Sequence, residues 1–135
     1  MTVAKEFHRA CFQVARATGR ELTAFTDTGG RVAPDFHQAI LSRHEHSIAV
    51  LRSRRFAALT FTEPQDPATF PKTFVDAPEL AEAFLEILDV RVLSADELAR
   101  DFGKQARAEF PHLDPNDLAY WRPGTLGEAL FTHWD

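Results

Sequence analysis

One cysteine, one methionine and one tyrosine stand among 135 residues. With Cys11 alone, no intramolecular disulfide forms, and no zinc site of the paired-cysteine kind can be assembled. Long apolar runs are equally scarce. No segment approaches the roughly 18 uninterrupted apolar residues that span a bilayer. Lys5, Glu6, Arg9 and Arg16 interrupt the stretch where a secretion signal would place its apolar core. These absences predict a cytoplasmic protein of the bacterial type with no membrane association. Basic residues are thin in the second half: residues 76–135 carry five against thirteen acids. Such a surface attracts cationic partners and repels nucleic-acid backbone over a Debye length of about 8–10 Å.

What the chain does hold is core material. Twelve phenylalanines and 44% apolar residues, in a length typical of one domain, predict a single globule over residues 1–135. Val3, Phe7, Cys11, Val14 and Thr18 recur at three- and four-residue steps, which predicts an amphipathic helix over 3–18 closed by Gly19. Glu21–Thr26 reads as a strand, and Asp27-Thr28-Gly29-Gly30 as the turn after it. Residues 36–43, 47–52 and 56–62 are three β-prone runs separated by short polar segments, the pattern of an antiparallel meander. In the third run Ala57, Leu59 and Phe61 alternate with Phe56, Ala58 and Thr60, so the first set is expected to face the core. Pro64, Pro67 and Pro71 make residues 63–75 a loop.

Helix starts then follow in quick succession. Asp76 with Glu79, Ser94 with Glu97, Asp114 with Asp117 and Thr125 with Glu128 each place a capping side chain three residues before an acid. Leu93 and Leu98 flank the second start as a hydrophobic staple, Pro115 suits the third, and Arg91–Leu93 can add a short edge strand. The expected fold is therefore α+β: a meander of about four strands packed against an N-terminal helix and several short C-terminal helices, with the helices of the second half across one side of the sheet.

Candidate chemistry is sparse. His44 and His46 point the same way if they lie on a strand, but a metal needs a third ligand, and a polar hairpin turn with solvated histidines is the favoured reading of the pair. His8, His37, His112 and His133 are the other histidines from which a third ligand would come. Cys11 lies on the apolar stripe of the first helix and reads as a core residue. No serine sits in a glycine-flanked elbow, and Gly29-Gly30 lacks the lysine and spacing of a phosphate loop. Arg52, Arg54 and Arg55, between two strands, are the best anion-gripping set, although a charged turn that discourages edge pairing explains them too. The segment from Tyr120 to Asp135 concentrates both tryptophans, and Trp121, Arg122 and Glu128 are its candidates for partner contact. Against that, Leu126, Leu130 and Trp134 form one helical stripe suited to core packing.

The ending Trp121-Arg122-Pro123, Thr125-Leu126-Gly127-Glu128, Leu130-Phe131 and Trp134-Asp135 resembles the C-terminus of a loosely defined group of small bacterial proteins. The resemblance covers about 16 residues and implies a shared fold element, with no activity attached to it.

Three functional readings follow. The first is an acidic, non-catalytic binding protein that meets a basic protein partner through the acids of residues 76–117, in the style of immunity proteins that neutralise a toxin. The second is a small metal-dependent enzyme built on His44 and His46. The third is a self-associating module, a homodimer joined through its aromatic terminus. No motif calls for a cofactor, and the acidic balance argues against nucleic acid.

Overall fold

The computed structural model of the protein describes residues 2–30, 34–66, 72–111 and 113–131, the side chains of Asp117 and Trp121 excepted. Its first element, α1 (Val3–Ala17), starts at Thr2, whose hydroxyl accepts the Lys5 N–H at 3.2 Å. It stops where Gly19 takes φ +69°. The Arg20 N–H then reaches back to the Ala15 carbonyl at 2.7 Å and the Gly19 N–H to that of Arg16, a Schellman closure that only a residue tolerant of left-handed backbone completes cheaply. Phe7, Cys11, Val14 and Thr18 are buried along one stripe, as their spacing predicts, with Ala10 beside them, whereas Val3 in the first turn is exposed. Burial pushes the Cys11 thiol far above its ordinary pKa, so it is held protonated in the core.

Four strands follow in chain order, each antiparallel to the last: β1 (Glu21–Thr26), β2 (Phe36–Arg43), β3 (His46–Ser53) and β4 (Ala58–Thr62). The expected meander is present. Its outer edge at β4 is completed by two short strands inside the regions read as loop and edge. β5 (Phe74–Val75) pairs antiparallel with Phe61–Thr62, and β6 (Arg91–Val92) pairs parallel with Ala58–Leu59, giving a six-stranded sheet.

The sheet is covered on both faces, which corrects the expectation of helices on one side. On the first face α1 and α2 (Pro78–Leu85) close over Leu41, Val50, Leu59 and Phe61 through Phe7, Val14, Leu80 and Phe84. On the second, α3 (Ala95–Ala99), α4 (Lys104–Glu109), α5 (Pro115–Trp121) and α6 (Leu126–Leu130) pack with Phe36, Leu51 and Ala58 around Leu93, Leu98, Leu126 and Phe131. Every residue of β4 is therefore buried, including Ala58 and Thr60, which alternation alone had turned away from the core. Ala57 is exposed instead.

Three of the four helix starts carry the cap foreseen. Ser94 and Glu97 complete a reciprocal capping box, with Leu93 and Leu98 buried on either side of it. Burial raises the Glu97 carboxyl, but the Ser94 N–H and the Arg91 guanidinium outweigh that and hold it below the usual carboxylate range. Asp114 accepts the Asn116 N–H at 2.8 Å, and Thr125 accepts that of Glu128 at 3.2 Å. Asp76 is the exception. Its carboxylate accepts the Ala95 N–H at 2.9 Å and so serves the start of α3, while α2 begins at Ala77 and Pro78 without a side-chain cap. In α6 a methyl group on Gly127 would lie 2.5 Å from the Phe74 ring and 3.2 Å from the Leu98 carbonyl, so this helix reaches β5 and α3 only because the position is glycine.

Candidate functional site

The arginines selected as an anion grip are spent on the fold. Arg52 is buried and donates to the carbonyls of Ser53 and Phe56, closing the turn between β3 and β4. Burial lowers its pKa, partly offset by Glu6. Arg54 donates to the Pro34 carbonyl at 3.0 Å, and Arg55 forms an ion pair with Asp35. The reason is topological: the β2 entry and the β3–β4 turn bring unpaired carbonyls together, and guanidinium forks satisfy them.

Of the C-terminal candidates, Arg122 is exposed and engaged through its backbone, and Glu128 through its carboxylate. Arg122 caps α5 in the left-handed region (φ 50°), its N–H bonded to the Leu118 carbonyl at 3.0 Å. The Glu128 carboxylate accepts the Gly124 N–H at 2.7 Å. The side chain of Trp121 lies outside the described residues, as do Arg31, His112, His133 and Trp134. Leu126 and Leu130, the described members of the terminal stripe, are fully buried.

His44 and His46 sit at the β2–β3 hairpin, His44 in the turn at φ 57° and His46 paired with Arg43 across the ladder. Among the described residues no group of three His, Cys, Asp or Glu side chains is placed to hold a metal ion. His37, one of the histidines named as a third ligand, is buried at the opposite end of β2. There its Nδ1 accepts the Thr28 N–H at 3.1 Å. That bond requires the neutral ring with its proton on Nε2. Burial lowers the pKa of His37, and Arg54 and Arg52 lower it further against the opposing pull of Asp27.

A surface that combines exposed apolar side chains with exposed acids lies on the first face. The acids of residues 76–117 divide: Asp76 and Asp114 cap helices, and Glu79, Glu97 and Glu109 pair with arginines. Asp96 and Asp101 beside α3, and Glu82, Glu86 and Asp89 on the first face, are exposed and form no ion pair among the described residues. Between the last three Leu85 and Ile87 are 52% and 42% exposed. α2 ends at Leu85, and the following turn carries Ile87 outward while Leu80, Phe84 and Leu88 stay buried. An open groove of about 520 Å³ runs between this turn and α1, lined by Glu6, Arg9, Gln13, Ile87, Leu88 and Asp89. The signal in the sequence was Leu85, an apolar residue off the helical stripe and followed directly by Glu86.

No helix among the described residues is long and apolar enough to cross a membrane. No family model matches the chain, and no curated protein or solved structure matches it.

Proposed function

We propose that the protein is a non-catalytic binding module of the cell interior that docks a basic protein through the α1–α2 groove, as small acidic immunity proteins do with a toxin. The observation that carries this reading is the pairing of exposed Leu85 and Ile87 with three carboxylates unpaired among the described residues, beside a groove in which Glu6 and Asp89 outnumber Arg9. Apolar centres anchored by one or two large side chains supply affinity, while a charged rim of one sign steers a partner of the other and speeds encounter.

The test is retention on the immobilised protein of a basic partner from its own cell, compared with a Glu82→Lys, Glu86→Lys, Asp89→Lys variant. The expected partner has a pI above about 9. It associates roughly tenfold more slowly with the variant at low salt. It elutes from the parent protein as the Debye length shrinks from about 8 to about 3 Å. Equal retention by both proteins, insensitive to salt, overturns the reading.

A further inference from the structure

The hairpin end of the first face gathers positive charge around a cavity. Register places Arg43 opposite His46 and Leu41 opposite Ile48, so these four side chains share one face of the ribbon. Arg20, just before β1, joins them from the neighbouring strand, and His44 closes the end from the turn. Together with Ser47 they line a cavity of about 350 Å³ with an apolar floor and basic walls. Small-molecule pockets begin at about 300 Å³.

The charge here is only partly neutralised from within. One carboxylate oxygen, Glu79 Oε2, serves both guanidiniums, 3.4 Å from Arg20 and 3.8 Å from Arg43. Arg43 also donates to the Thr18 carbonyl at the end of α1, at 3.1 Å. Glu45 is in the turn but does not line the cavity. Arg20 Nη1 is buried without a hydrogen-bond partner among the described residues. A buried donor left unmade is costly, and a small turn of the guanidinium toward an anion in the cavity recovers that bond.

We infer that this cavity binds a small anion with two or more negative charges, presented as phosphoryl or carboxylate oxygens. Arg20 and Arg43 are its forked donors, His44 and His46 the ring N–H donors, and Leu41 and Ile48 its dry floor. Glu79 is the internal competitor for the same guanidiniums. The site lies at the C-terminal end of α1, away from the groove at its N-terminal half, and does not depend on a protein partner.

Calorimetric titration of the full chain with pyrophosphate and, separately, with citrate at constant ionic strength tests this directly. Imidazole resonances of His44 and His46 are followed in parallel. At least one anion is expected to bind with Kd below about 1 mM and to shift both resonances while leaving that of His37 in place. Saturation by pyrophosphate alone assigns phosphoryl chemistry, by citrate alone carboxylate chemistry, and by both the shared dianion. Arg43→Gln or His46→Gln weakens binding by tenfold or more, and Glu79→Gln tightens it several-fold by removing the competitor. Binding of neither anion below about 10 mM, or binding unchanged in both weakened variants, overturns the proposal.

Discussion

The two faces of the sheet are covered by different means. On the first, a fifteen-residue helix with a continuous apolar stripe and one shorter helix bury large side chains against β2, β3 and β4. On the second, four helices of five to seven residues do the same work, and each is too short to be stable through its own backbone bonds. What holds the second face is the joinery: a capping box at Ser94, the Asp76 carboxylate on Ala95, and the Leu126 N–H bonded to the Arg100 carbonyl at 2.9 Å. Long-period burial secures one side and local polar closure the other.

The comparison breaks most visibly at Phe84, whose ring lies 6.4 Å from that of Phe7 and 6.3 Å from that of Phe61. Phe84→Ala is expected to cost about 3–5 kcal/mol in denaturant unfolding, and a loss below 1 kcal/mol would show that the first face is not secured by burial. Gly127→Ala follows on the second face. The gain in helix propensity is outweighed by overlap with the Phe74 ring, which packs against Phe131, for a net loss of about 1–3 kcal/mol. A stabilised variant would mean that β5 yields freely. Ser94→Ala removes the capping hydroxyl and should lower stability by about 1 kcal/mol; hydrogen exchange is expected to quicken at the start of α3 before it does in α1.

The smallest effect concerns pH at the edge of the first face. His37 has a lowered pKa in the folded protein, so below about pH 6.5 the unfolded chain takes up a proton that the folded one refuses. Stability should fall as pH drops below that value, and His37→Gln should flatten the profile there. A profile unchanged by the substitution would exclude His37 as its source.

Much of the fold was legible where a period or a cap expresses it. The stripe of α1, the β-prone runs and polar breaks of β1 to β3, and the Ser94 capping box are each written in adjacent residues. Two-residue strands were not, because β5 and β6 owe their extended pairing to β4 rather than to their own composition. Nor was α4, which starts at Gly103 without any capping side chain. The double coverage of the sheet was hidden for a related reason: a strand buried on both sides loses the alternation that tells one face from the other. Site residues were harder still. Arg52, Arg54 and Arg55 look like an anion grip in sequence because the acceptors of the first two are backbone carbonyls, which no residue letter records, and that of Arg55 is Asp35, twenty residues away on another strand's entry. Arg20, Arg43 and His46 assemble only through the pairing of three strands.

The arrangement along β4 also bears on how open the sheet is to edge-to-edge pairing. Its free side is divided between a strand running one way and a strand running the other, so an incoming chain meets no uniform row of donors and acceptors there. At the opposite margin, β1 pairs only with β2 among the described residues, and its ladder slips between Leu22 and Ala24. A foreign strand laid beside it would lose registry within two residues, which leaves this sheet poorly suited as a template for fibril growth.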